Sequence, residues 1–282
     1  FQYAAGDTTF FKGVNCLPQG HYCVYDMRNN ADMRVECYFD VEFAPQEDWS
    51  FEQSADFIDE AVHESVQARR ISDVEVGSGL SGGVDSSYIT ACLMPEYSFS
   101  VGFEQPGEAA NKFDETSPAQ ELSGLLGVKN FTKHVTADEC FEAFPEIQYH
   151  MDQPQSNPSS VPLWFLAKLA REQVTVVLSG EGADEIFGGY ELYADTPAME
   201  KFKRMPKGLR RVLGRMAKAM PAVKGRNFFL KSAERPEDWF IGQADVFPEK
   251  QAADILKPAY RKGPTALEMT VPYYEKVADC PE

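Results

Sequence analysis

Two short stretches, about a hundred residues apart, hold the residue types from which a phosphate site is built. The first, Leu80-Ser81-Gly82-Gly83-Val84-Asp85-Ser86-Ser87, closes an apolar run and opens a segment with helical character. Two adjacent glycines let a backbone come close to an anion, and a helix N-terminus offers unpaired N–H groups at the positive end of its dipole. Ser81, Ser86 and Ser87 add hydroxyl donors. No lysine follows the glycines, which separates the stretch from the common Walker-type loop. A carboxylate at Asp85 sits oddly beside phosphates unless a divalent cation lies between them. Mg²⁺ takes one or two carboxylates plus phosphate oxygens, so Asp85 is a candidate metal ligand. The alternative is a Ser/Gly turn in which Asp85 caps a helix.

The second stretch, Leu178-Ser179-Gly180-Glu181-Gly182-Ala183-Asp184-Glu185-Ile186-Phe187-Gly188-Gly189-Tyr190, repeats the pattern of glycines directly after an apolar run. Glu181 and Asp184 are three apart and Glu181 and Glu185 four apart, so the carboxylates share a face if the segment is helical. Buried together, such charges would need a metal, a substrate amine or a raised pKa. The alternative is a solvated acidic helix start favoured by the dipole.

Both stretches need strands and helices to hold them. Ser50-Phe51-Glu52-Gln53 is a capping-box start, and Phe51, Ala55, Ile58, Val62 and Val66 follow at helical spacing. The pattern then predicts a strand over 74–80, a helix from Asp85 towards Leu93, a strand over 97–103, a helix over 115–126 and an extended run over 131–135. Helices over 141–149 and 163–171 lead into the apolar strand Val174–Leu178. Strands alternating with helices predict an α/β fold with a parallel sheet and helices on both faces. In such sheets ligands bind beyond the carboxyl ends of the strands, where both stretches fall. Beyond Tyr190 the chain reads as mostly helical, broken at Pro206, Pro221 and Pro236. Before Ser50, two β-prone runs, Gly20–Asp26 and Met33–Tyr38, separated by an Asn29-Asn30 turn, predict a β-hairpin that needs a further sheet to join. The expected division is residues 1–47, hairpin and connector, and 48–282, the domain carrying both loops. Residues 107–112 have the composition of a loop beside the site.

The chain has 282 residues, 43% hydrophobic and 25% charged, enough for a core of ordinary size. Its formal charge of −17 argues against a nucleic-acid partner despite basic residues between Lys201 and Lys231. Six cysteines lack metal-ligand spacing and read as free thiols of a cytoplasmic protein. No apolar run is long enough to span a membrane.

Taken together, LSGGVDSS and LSGEGADEIFGGY closely resemble the synthetase domain of class B, glutamine-dependent asparagine synthetases. These belong to the ATP-pyrophosphatase (PP-loop) superfamily, with an adenine nucleotide α-hydrolase-like fold. The resemblance extends through Gly79, Ser98-Phe99-Ser100-Val101-Gly102-Phe103, Asp152-Gln153-Pro154 and Pro158-Ser159, and back to Leu17-Pro18-Gln19-Gly20-His21-Tyr22. It implies ATP and Mg²⁺ as cofactors, with aspartate and ammonia as substrates. Leu80 and Val101 would contact adenine through their backbones, and Ser81, Gly82, Gly83, Val84, Asp85, Ser86 and Ser87 would cradle pyrophosphate. Ser179 and Gly180 would touch the nucleotide, Asp85 and Asp184 would bind Mg²⁺, and Glu181 would be catalytic. The implied reaction is amidation of aspartate through a β-aspartyl-AMP intermediate, with ammonia supplied from glutamine by an upstream glutaminase domain. The hairpin resembles the end of that domain. Phe1 begins the chain and none of the cysteines takes the place of its nucleophile, so a piece of a longer protein, shortened at both ends, is expected. A homodimer is among the expected assemblies. A β-lactam-synthetase-like cyclase and a nucleotide-binding fragment without turnover stand as alternatives.

Overall fold

The computed structural model describes residues 2–29, 32–42, 48–104, 115–191, 193–220, 225–233, 235, 240–242, 247 and 249–278. The loop expected over 107–112 lies outside them, as does Cys280; the cysteines within them, Cys16, Cys23, Cys37, Cys92 and Cys140, are free thiols. Two compact units form, one of Phe1–Ala44 with Tyr190–Glu282 and one of Pro45–Gly189.

In the first unit, β1 (His21–Asp26) and β2 (Asp32–Cys37) pair antiparallel from His21↔Cys37 to Asp26↔Asp32. Gly20 adopts φ +68 so that its carbonyl accepts from the N–H groups of both Tyr38 and Phe39, at 2.8 and 3.1 Å. Every β2 residue is exposed, and among the described residues the ribbon has two strands.

The second unit holds the sheet. Its leading helix α1 (Phe51–Arg69) begins with the expected capping box: Ser50 Oγ accepts from Gln53 N–H while Gln53 Oε1 accepts from Ser50 N–H. The apolar spacing along α1 predicts a helix, and its burial is concentrated towards the C-terminal end. Val66 is 3% exposed, whereas Phe51 is 83% exposed. Four strands follow: β3 (Val76–Gly79), β4 (Tyr97–Phe103), β5 (Lys129–Val135) and β6 (Val176–Leu178). All pair parallel, in the order β5-β4-β3-β6. Between them run α2 (Val84–Leu93), α3 (Thr116–Leu126), α4 (Ala137–His150) and α5 (Ser160–Arg171).

Side chains alternate across the sheet, and each face has its own apolar cluster. Val66, Val76, Cys92 and Leu93, with Val62, Tyr88, Ile89, Val176 and Leu178, fill the side covered by α1 and α2. Phe99, Ala170 and Val174, with Tyr97, Phe131, Leu166 and Val177, fill the side covered by α5. Phe99 is fully buried and stacks on Phe131 at 5.8 Å. Gly77 leaves it room: a Cβ there would stand 2.7 Å from the Phe99 ring. The Tyr88 hydroxyl donates to the Asp59 carboxylate, tying α2 to α1, and that bond pushes the phenol well above its ordinary range. Glu139, in the capping box of α4 with Thr136, accepts from Lys133 Nζ at 2.6 Å, which holds its carboxyl below the usual range.

A short α6 (Ala183–Phe187) closes the second unit. The helices beyond Tyr190 belong to the first: α7 (Pro197–Lys203), α8 (Lys207–Ala219), α9 (Arg226–Ala233), α10 (Glu249–Ile255) and α11 (Ala266–Lys276). Pro206 stands at the N-cap of α8; Pro221 and Pro236 lie outside the described residues. Phe202 of α7 packs edge-on against Phe228 and Phe229 of α9, at 5.6 Å to each. Lys276 Nζ meets the Asp40 carboxylate at 2.6 Å. Among the described residues no helix is long and apolar enough to cross a membrane.

Candidate nucleotide site

The strand order fixes where a ligand can enter. The chain steps outward from β3 to β4 to β5, then returns to place β6 on the other side of β3. The order reverses between β3 and β6, and at such a switch point the crevice beyond the carboxyl ends of the strands opens. The two glycine loops leave the ends of those two strands.

After β3, Leu80 is buried, 1% exposed. Its N–H donates to the Phe99 carbonyl at 2.8 Å and its carbonyl accepts from Ser100 Oγ at 2.6 Å. Gly82 turns at φ +79, and a Cβ there would meet the Glu115 carbonyl at 2.8 Å and Pro118 Cβ at 2.9 Å. No larger residue fits a left-handed turn so close to α3. Gly83 is extended and starts α2 without a side-chain cap, leaving first-turn N–H groups for an anion. Ser86 is buried, and its Oγ accepts from Ser81 N–H at 3.1 Å, lies 2.9 Å from Ser81 Oγ, and donates to the Gly83 carbonyl at 3.3 Å. That hydroxyl shapes the loop from within. Ser81, Gly83, Val84 and Asp85 are exposed, and Ser87 is half-buried.

After β6, Ser179 is exposed and Gly180 half-buried. A Cβ on Gly180 would stand 2.7 Å from Ser86 N, 2.9 Å from the Asp85 carbonyl carbon and 3.0 Å from Asp85 Cβ. The second loop therefore rests on the first turn of α2. Gly182 at φ +90 forms the N-cap of α6, so Glu181 lies in the turn before the helix. The expected common helical face for Glu181, Asp184 and Glu185 does not form. Glu181 and Glu185 are exposed and Asp184 is half-buried, with its carbonyl accepting from Gly189 N–H at 3.0 Å. Val101, half-buried on β4, pairs in register with Lys133, whose ammonium is engaged by Glu139.

Among the described residues no group of three or more His, Cys, Asp or Glu is arranged to hold a metal ion. Asp85 lies in the first turn of α2 and Asp184 in the first turn of α6, so the two carboxylates expected to bind a metal each stand at a helix start. A pair of carboxylates suits Mg²⁺ when phosphate oxygens complete the shell, and suits a self-sufficient metal cage poorly.

The segment Asp152-Gln153-Pro154 lines a cleft of about 580 Å³ together with Gln148, Tyr149 and His150. Asp152 takes φ +63, and Gln148 Nε2 and Gln153 Oε1 are buried without hydrogen-bond partners. Two features lay outside the motif pattern. One is the docking of α3 on Gly82. The other is a set of buried hydroxyls beneath the loop: Ser78 Oγ pairs with Thr90 Oγ1 at 2.7 Å, which donates to the Ser86 carbonyl at 2.8 Å. Serines recurring at Ser78, Ser98 and Ser100 within otherwise apolar strands were the available signal.

The asparagine synthase family profile matches residues 58–271. Asparagine synthetase [glutamine-hydrolyzing] 1 of Bacillus subtilis is 36% identical over 265 residues, covering 91% of this chain and 40% of that protein. Asparagine synthetase B [glutamine-hydrolyzing] of Escherichia coli is 31% identical over 159 residues, 49% of this chain and 27% of that protein. Among solved structures, an NH3-dependent NAD synthetase from Campylobacter jejuni in complex with the nitrate ion gives a TM-score of 0.34 at 15% identity, covering 80% of this chain and 97% of that one. The chain spans 40% and 27% of the two curated relatives' lengths.

Proposed function

The chain belongs to the asparagine synthase family, and we propose that it is the ATP-using part of a ligase that converts aspartate to asparagine. The observation that carries this is the seating of Gly180 on Ser86 and Asp85 across the switch point. It joins an anion-binding turn to a carboxylate-bearing turn.

The uncapped first turn of α2, with Gly82, Gly83 and the hydroxyls of Ser81 and Ser87, would hold the pyrophosphate portion of ATP. Leu80 and Val101 would meet the base through backbone atoms, and Ser179 and Gly180 would line the nucleotide. Asp85 and Asp184 would hold Mg²⁺, which when bound offsets negative charge on the phosphates. An oxygen of the aspartate β-carboxylate attacks the α-phosphorus, the bond to the bridging oxygen breaks, and pyrophosphate leaves. The loop contributes position and charge neutralisation rather than covalent chemistry. Ammonia then attacks the activated carbonyl carbon of β-aspartyl-AMP. Glu181 takes the surplus proton, the acyl–oxygen bond breaks, and AMP departs with asparagine formed. The cleft lined by Gln148, Asp152 and Gln153 would receive the amino-acid substrate. An upstream glutaminase domain ending in the β1–β2 hairpin would supply the ammonia, and the free thiols fit a reducing cytoplasm.

The test is product analysis with Mg²⁺, ATP, aspartate and ammonium. Pyrophosphate release is expected to require aspartate, with AMP and asparagine formed in equal amounts. ADP as the nucleotide product, or pyrophosphate release indifferent to aspartate, would refute the proposal.

A further inference from the structure

Residues 201–231 hold eleven of the chain's 27 lysines and arginines and no aspartate or glutamate, in a chain whose formal charge is −17. The helix α8 lies within that run and displays its cations in a pattern. Its packed side is made of small residues: Ala217 is 1% exposed, and a Cβ on the buried Gly214 would stand 2.6 Å from Ala233 Cβ of α9. Two cations serve that packing, Arg226 Nε donating to the Ala217 carbonyl at 3.0 Å and Arg210 Nη1 to the Ser232 carbonyl at 3.4 Å. The outer side of α8 divides into two exposed rows. Lys207, Arg211 and Arg215 recur every four residues along one. Leu209, Val212 and Met216, 46%, 51% and 60% exposed, run along the other. Neither row favours a helix left in water. The helix holds no carboxylate, so the cations have like charges as their i,i+4 neighbours. The apolar row, for its part, stays in solvent. Both costs become gains against a surface that is anionic outside and apolar just beneath.

We propose that α8 docks this protein on an anionic lipid surface. The helix lies in the plane of the headgroups, with Lys207, Arg211 and Arg215 among the phosphates and Leu209, Val212 and Met216 in the acyl boundary. A basic amphipathic helix binds in this way by adding apolar burial to electrostatic attraction. With 13 residues it lies on the bilayer and does not span it. Charge selects the face. The remainder of the chain is strongly acidic and the same surface repels it, so only the 201–231 run is drawn in. Nucleic acid would use the cations and leave the apolar row in water. A second copy docked about a two-fold axis would set two rows of like charge together. Met216 and the long cationic stems are flexible and adapt to a fluid surface without a matched groove.

Co-sedimentation with vesicles tests it, using phosphatidylcholine alone and phosphatidylcholine mixed with phosphatidylserine. The unaltered protein is expected to bind the anionic vesicles at least about tenfold more tightly than the neutral ones, and less tightly as salt rises. Arg211→Glu with Arg215→Glu is expected to lower that binding by about twenty-five-fold or more, since each cation near such a surface is worth about fivefold. Val212→Gln with Met216→Gln keeps the charge and is expected to lower it by about tenfold or more. Lys257→Glu with Lys262→Glu makes the same charge change at exposed positions outside the run, and is expected to keep binding within about threefold. Every substituted side chain is exposed, so denaturant unfolding is expected to show each variant folded. Equal binding to neutral and anionic vesicles, or binding to neither, overturns the proposal. Anionic binding that the Val212 and Met216 substitutions leave unchanged does so as well, because charge alone then explains it. Duplex RNA or polyglutamate bound more tightly than the anionic vesicles, or vesicle-free dimers abolished by the Arg211 and Arg215 substitutions, would give the face to another partner and overturn it too.

Discussion

Gly180→Ala is expected to weaken Mg·ATP binding by about a hundredfold or more while leaving a folded protein. The methyl group would fall 2.7 Å from Ser86 N, 2.9 Å from the Asp85 carbonyl carbon and 3.0 Å from Asp85 Cβ. Those are atoms in the first turn of α2, not the ends of flexible side chains. Neither partner can step aside freely, because β3 and β6 are locked in register from Val76↔Val176 to Ser78↔Leu178. Overpacking of this kind costs about 1–3 kcal/mol. Here it also displaces the N–H groups that would face the phosphates, so the loss in binding exceeds the loss in stability. Gly124→Ala is the control: nothing lies within 4 Å of its added Cβ, and it sits inside α3. A gain of about 0.5–1 kcal/mol in helix stability with unchanged ATP affinity is expected there. Calorimetric titration with denaturant unfolding reads both quantities, and ATP affinity unchanged in Gly180→Ala would mean that the loops do not share a ligand.

Glu181→Gln is expected to slow asparagine formation by about 10²–10⁴-fold, the usual contribution of a positioned general base. Gln keeps the length and a hydrogen-bonding end but cannot accept a proton from the ammonium-like adduct. Glu181 is exposed and sits in the turn between β6 and α6, where Ala183 N–H donates to the Gly180 carbonyl at 3.4 Å. The substitution should therefore leave the loop and ATP affinity intact, within about threefold. Rapid-quench measurement of asparagine separates this step from pyrophosphate release. A rate within about threefold of the unaltered protein would move the proton to another acceptor.

The sheet was legible because its strands are apolar and its helices begin with recognisable signals. The β4 bounds of Tyr97–Phe103 match the expected run, and Ser50 and Gln53 form the predicted capping box. Of the apolar positions spaced along α1, Val66 is buried and Val62 packs beside it against α2, while Phe51 and Ile58 stay exposed. Both loops could be named from their glycines, but their contact could not. It depends on β6 returning to lie beside β3, a property of the whole chain path rather than of any local segment. The spacing of Glu181, Asp184 and Glu185 suggested one helical face; the positive φ of Gly182 starts the helix too late for Glu181 to join it. Ser100 carried a weak signal, a hydroxyl in a buried strand, and its partner is 20 residues away.

The most direct measurement is a calorimetric titration of Mg·ATP into the protein, paired with the same titration into Asp85→Ala. The unaltered protein is expected to bind one Mg·ATP, with affinity falling by about thirtyfold or more in Asp85→Ala and on removal of Mg²⁺, since a carboxylate and the metal it shares with phosphate act as a unit. Binding of equal strength in Asp85→Ala, or no binding by the unaltered protein, would contradict the placement of the nucleotide at Ser81–Ser87.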